Sequence, residues 1–152
     1  MTKRFVLALA SAAVLAGSLV LPAGTASAKG CWGTLGKIPV IGTVCVRQGT
    51  SSAILAIGAG HFERSHPSWM AAHDVTPVGG RPYGPFHDLN QLKVGSTITF
   101  NGNPYKVIVS KPIAASAVSG FIAKYGYYDL ALTTCWPRYH MWQRWTVIAK
   151  PA

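Results

Sequence analysis

Apolar and polar positions alternate most cleanly in the C-terminal third of the chain. Leu130, Leu132 and Thr134 fall on one face at period two, Pro137 ends the run, and Arg144-Trp145-Thr146-Val147-Ile148 follows after a short loop. This pattern predicts a strand, a loop and a second strand, with Cys135 on the face opposite the leucines. Upstream, residues 96–100 and 105–110 read as two strands joined through Asn101-Gly102-Asn103-Pro104, a hairpin signal. Residues 113–124 space Ala114, Ala115, Ala117, Val118, Phe121 and Ile122 at near-helical intervals, which predicts a short helix ending near Gly126.

The first half is less regular. Residues 37–48 hold two short strand candidates broken by Pro39 and Gly42, while residues 52–57 are too short a run to separate strand from helical turn. Residues 58–85 read as mostly loop around an apolar island, Trp69-Met70-Ala71-Ala72, and residues 29–36 as an irregular, glycine-rich lead-in. Many short strands with turn signals and one helix predict a mainly β protein, a small and largely antiparallel barrel. The sequence holds no internal repeat, no heptad seam, no glycine-rich phosphate loop and no acidic cluster for calcium.

The 152 residues allow one domain. Lys3 and Arg4, the apolar run 5–21 and the small residues Ala26-Ser27-Ala28 have the three parts of a secretory signal, so residues 1–28 are expected to act as a cleaved signal peptide or an uncleaved membrane anchor, and the protein to be exported. Lys3 and Arg4 account for two of the formal +10, leaving +8 on residues 29–152, where Glu63, Asp74, Asp88 and Asp129 are the only acids. An exported domain of that charge is expected to meet an anionic wall or membrane surface, and not nucleic acid. Three cysteines in an exported chain invite one bridge, Cys31 to Cys45, and leave Cys135 as the odd thiol. A thiol kept unpaired in an oxidising compartment is either buried or used. At the lip of a strand, with Arg138 and Arg144 in the same loop system, Cys135 is a candidate nucleophile in a positive field that favours thiolate. His61, His66 and His73 are spaced by five and seven residues, which matches no compact zinc pattern, so no metal and no cofactor is expected.

Read in order, Ile38-Pro39-x-Ile41-Gly42, Gln48-Gly49, Leu55-x-x-Gly58-x-Gly60-His61-Phe62, Met70-Ala71-Ala72-His73, Gly84-Pro85-Phe86-x-x-Leu89, Leu92-x-x-Gly95, Tyr105-x-Val107, Leu132-x-Thr134-Cys135-x-Pro137-Arg138 and Arg144 resemble the sortases, most nearly those of class E. The resemblance spans residues 37–152 and implies an eight-stranded closed β-barrel with one or two short helices. It also implies a monomeric cysteine transpeptidase that cleaves an LPxTG- or LAxTG-type sorting signal between Thr and Gly and passes the acyl group to a peptidoglycan-precursor or pilin amine.

Carried over by motif, Cys135 is the nucleophile, His73 the general acid and base, and Arg144 the oxyanion and substrate arginine. Thr134, Arg138 and Tyr83 are expected to contact the signal peptide. His61 sits in a second Gly-x-Gly-His step, but His73 is the histidine followed at the family interval by Gly84-Pro85-Phe86. Three positions depart from the family pattern: Ala72 and Asp74 stand where Gly and Arg flank the histidine, and Ala131 replaces a Thr before the cysteine. An aspartate beside an imidazole raises its pKa if the two approach. The competing reading from another class is an inactive sortase scaffold that binds anionic wall polymers. L,D-transpeptidases want Ser-x-Gly-Cys where this chain has Leu132-Thr133-Thr134-Cys135, and papain-like peptidases place Cys before His.

Overall fold

The computed structural model describes residues 30–39, 41–75 and 82–152. The expected signal or anchor, residues 1–28, lies outside them. No helix among the described residues is long and apolar enough to cross a membrane. Eight strands run in chain order as β1 (Gly33–Ile38), β2 (Gly42–Gln48), β3 (Ala59–His61), β4 (Ser68–Ala71), β5 (Thr97–Phe100), β6 (Asn103–Ala114), β7 (Leu130–Trp136) and β8 (Gln143–Pro151). They pair in the order β1-β2-β3-β4-β7-β8-β6-β5, and β5 returns to β1, so the sheet closes into a barrel without free edges. Helix α1 (Ser52–Leu55) follows β2 and α2 (Val118–Ile122) follows β6. The expected mainly β, eight-stranded closed barrel is the fold observed.

Six of the eight seams are antiparallel; β2/β3 and β4/β7 are parallel. The β5–β6 hairpin closes through Asn101 and Gly102 at φ 50° and 83°, with Phe100 paired to Asn103. Two consecutive positive φ values are what a two-residue hairpin turn demands, and Asn-Gly supplies them at low steric cost. The interior is filled by Leu35, Val46, Met70, Ile98, Val107, Leu130, Leu132 and Val147, with Phe86 and Leu89 entering from the segment before β5. A smaller cluster on the outside joins Val118 and Ile122 of α2 to Ala131 and Ile148. Strands β7 and β8 are therefore covered on both faces, which accounts for their nearly continuous apolar runs.

Three expectations are corrected. Residues 29–36 are not all irregular, because β1 begins at Gly33, hydrogen-bonds along β2 and is stapled to it by the Cys31–Cys45 disulfide, Cα–Cα 5.4 Å. Its glycines admit β5: a Cβ on Gly33 would strike the Phe100 ring, and one on Gly36 the Thr99 hydroxyl. The loop expected over 58–85 is interrupted by β3 and β4, each too short and too fully paired to show alternation, although most of its described residues do lie outside strands. The helix expected over 113–124 is only Val118–Ile122, because Pro112, Ile113 and Ala114 extend β6 by pairing with Trp145, Arg144 and Gln143. Sheet pairing overrides the helix preference of that alanine run.

Candidate active site

Two seams meet where β7 ends. On one side Cys135 lies directly opposite Arg144 in the β7–β8 register. On the other, β4 runs parallel to β7 with Ala71 beside Thr133, and the contact continues past the strand: the Ala72 N–H donates to the Thr133 carbonyl at 3.3 Å and the Thr134 hydroxyl donates to the Ala72 carbonyl at 2.9 Å. The next residue along that path is His73. Cys135, His73 and Arg144 together line one cavity of about 220 Å³, completed by Thr50, Leu55, Phe62, Ala71, Ala72, Thr133 and Thr134.

The backbone at His73 is clamped from outside the barrel. The Phe86 N–H donates to the His73 carbonyl at 3.0 Å, while the Gly84 N–H and the His87 ring nitrogen Nδ1 both reach the Asp74 carbonyl, at 3.1 and 2.7 Å. Gly84 packs flat on His73, and a Cβ there would overlap the His73 carbonyl. Phe86 and Leu89, both fully buried, anchor this clamp in the core. Gly84-Pro85-Phe86 thus acts on the histidine through backbone contacts: glycine for closeness, phenylalanine for anchorage.

Arg144 is fixed by its own loop. One guanidinium nitrogen, Nη1, donates to the Met141 carbonyl at 2.8 Å and to the Gln143 carbonyl at 3.0 Å, which leaves the rest of the fork to the cavity. Burial pushes the Cys135 thiol up from its ordinary value; Arg144 opposes that rise and Asp74 adds to it. The positive field expected from two arginines is therefore not the dominant influence. Desolvation outweighs Arg144, and Arg138 is committed elsewhere.

Arg138 pairs with Asp88 at 2.6 Å and reaches the His87 carbonyl at 3.4 Å. It does not line the cavity; it ties the loop after β7 to the segment that clamps His73. Tyr83 is likewise off the cavity, stacked on the His87 ring at 4.8 Å. Thr134 lines the cavity with its hydroxyl already spent on Ala72, and the Thr133 hydroxyl accepts from the Trp69 indole at 2.8 Å. Asp74 is buried, with Oδ1 accepting from its own Val75 N–H, and among the described residues it makes no ion pair with His73. His61 stacks on Trp32 at 4.0 Å with Nδ1 against Gln48 at 2.7 Å, and His66 stacks on Tyr127. Neither lines the cavity, and no three potential metal ligands gather among the described residues. The contributions of Thr50 and Phe62 were not anticipated. Thr50 neighbours the quoted Gly49 and Phe62 ends a quoted motif, but the parallel β2–β3 seam that brings them to the cavity leaves no trace in sequence spacing.

A closed barrel with a thiol, an imidazole and a guanidinium around one end cavity defines the class with which this chain is to be compared. The chain belongs to the sortase family: the sortase domain family model matches residues 37–152. Among solved structures it is similar to the pilus island 1 sortase C2 of Group B Streptococcus, at 27% identity and TM-score 0.67, over 82% of this chain and 75% of that one. It is also similar to sortase C-3 from Streptococcus pneumoniae (22% identity, TM-score 0.60, 80% of this chain and 62% of that one) and to sortase A from Corynebacterium diphtheriae (19%, 0.64, 79% and 60%). The chain spans less than two thirds of the length of these last two, and their likeness is one of fold. No curated protein sequence matches it.

Proposed function

We propose that this sortase-family chain is a cysteine transpeptidase that cleaves an LPxTG- or LAxTG-type sorting signal between Thr and Gly and transfers the acyl group to a peptidoglycan-precursor or pilin amine at the outer face of the membrane. The observation that carries this reading is that Cys135, His73 and Arg144, from three separate stretches of sequence, line one cavity.

In the proposed reaction the Cys135 thiolate attacks the Thr carbonyl carbon and the carbonyl π electrons move to oxygen, where the free part of the Arg144 fork stabilises the oxyanion. The C–N bond to Gly then breaks, and His73 protonates the departing amine, leaving a thioester on Cys135. An incoming amine attacks that thioester, loses its extra proton to His73 and expels the thiolate, which restores the starting state. Burial disfavours the Cys135 thiolate, and the thiolate that does form is correspondingly more basic and the stronger nucleophile.

The test is mass spectrometry of the intact protein after incubation with sorting-signal peptides. An added mass equal to the peptide up to Thr, located on Cys135, is the expected result. No adduct with any peptide of either type, or an adduct that persists in Cys135→Ala, overturns the proposal. The second reading, a scaffold that binds anionic wall polymers without catalysis, draws on the basic surface: three of the four acids, Asp74, Asp88 and Asp129, are withdrawn into the fold or into ion pairs.

A further inference from the structure

The loop between β7 and β8 turns its apolar side chains outward. Tyr139, Met141 and Trp142 are 83%, 70% and 60% exposed. Isolated apolar residues on a surface need no explanation, but three within four residues form a patch that costs solvation and tends to mark a contact. These rings are not spent on one another, because neither Tyr139 nor Trp142 enters a ring–ring contact among the described residues. The other exposed pair, Tyr127 and Tyr128, packs edge to face, with His66 stacked on Tyr127. The loop is also held in place: the Ala115 N–H donates to the Trp142 carbonyl at 3.0 Å, and the Met141 carbonyl accepts from Arg144.

Its electrostatic setting is one-sided. From Pro137 to Arg144 the chain carries no acid; of its two arginines Arg138 is paired with Asp88, while Arg144 makes no ion pair among the described residues. Asp74 is buried, Asp88 is paired with Arg138, and Asp129 is buried beside Lys150, so among the described residues Glu63 is the only exposed acidic side chain. Tryptophan and tyrosine favour the boundary between headgroups and acyl chains, and a cationic surface supplies long-range attraction to anionic headgroups.

From this apolar loop on an almost acid-free cationic surface, we propose that the Tyr139–Trp142 loop docks the barrel on an anionic lipid bilayer, with Tyr139, Met141 and Trp142 entering the headgroup region. Because Cys135 and Arg144 flank the loop in sequence, docking sets the mouth of the cavity at the membrane surface. This goes beyond the proposed chemistry and does not depend on it.

The test places an environment-sensitive thiol dye on the full chain carrying Cys135→Ala and His140→Cys, mixed with vesicles of phosphatidylcholine alone or with phosphatidylglycerol. Removing Cys135 leaves one thiol to label and makes the readout independent of acyl transfer. The matched control carries the dye through Tyr128→Cys, at the far end of β7, about 20 Å away at the usual rise per strand residue. The expected result is a blue shift and quenching by brominated lipid at position 140 with phosphatidylglycerol vesicles. Both signals should weaken as salt rises and be lost when Tyr139, Met141 and Trp142 are changed to Ser. Position 128 should show neither. Equal signals at both positions, no signal at 140, or a dye at 140 that answers a soluble sorting peptide and not vesicles would each overturn the proposal. In the last case the loop is a peptide lip.

Discussion

Cys135 and Arg144 are a directly opposed pair on neighbouring antiparallel strands, so the thiol and the guanidinium are brought together by the β7–β8 ladder itself. His73 reaches the same cavity by a different route, off the end of β4 and under a clamp from residues 84–87. The three groups therefore respond differently to substitution.

Cys135→Ala is expected to abolish the peptide adduct and all turnover of a fluorogenic sorting peptide. Arg144→Ala should lower kcat by about 10²–10³, the usual cost of one lost oxyanion donor. Arg144→Lys should recover little of it, because an ammonium cannot hold the Met141 and Gln143 carbonyls and still present a fork to the cavity.

Alkylation of Cys135 by iodoacetamide should rise with pH along a curve displaced to the alkaline side of an ordinary thiol, because burial disfavours the thiolate. Arg144→Ala removes the opposing positive charge and should move the curve further up. Asp74→Asn removes a negative charge and should move it down. Rates measured across the pH range in the three proteins check both signs at once.

Gly84→Ala tests the clamp. The added methyl would overlap the His73 carbonyl, a backbone group that cannot swing aside as a side-chain tip can. We expect a loss of about 1–3 kcal/mol in urea unfolding. Peptide cleavage should fall even where the protein remains fully folded, whereas Cys135 alkylation should persist.

Replacing Cys31 and Cys45 with Ser should lower stability by roughly 2–4 kcal/mol, since the bridge closes a loop of 14 residues in the unfolded chain. Peptide cleavage at low temperature should be little changed, because neither cysteine lines the cavity.

His61 contributes a pH-dependent stability. Burial lowers its pKa from the ordinary 6.5, so between the folded value and 6.5 the unfolded chain binds more protons than the folded one. Its contribution is complete above 6.5 and is lost as the pH falls below 6.5 toward the folded value. Unfolding midpoints near pH 5 and pH 7.5 should differ less in His61→Phe, which keeps a ring under Trp32, than in the parent protein.

Sequence alone reached the barrel and the three cavity groups through motif order, and the Asn101-Gly102 turn and the β7 and β8 strands through local pattern. Motif order works because each motif marks a backbone requirement that survives divergence, such as the close approach of Gly84 to His73. What escaped were β3 and β4, whose few residues are organised by partners distant in the chain, and the extension of β6 through Pro112, which β8 imposes. The expected substrate contacts of Arg138 and Tyr83 came from proximity in sequence. Asp88 and His87, brought near by the clamp, engage both side chains.

The parallel seam between β4 and β7 joins residues 62 apart, with β5, β6 and α2 among the elements between them. Long-range pairings of this kind close a larger loop than a local hairpin such as β7–β8 and so cost more chain entropy. The sulfur and its guanidinium thus rest on a local contact, while the imidazole's place beside them rests on one that spans nearly half the chain.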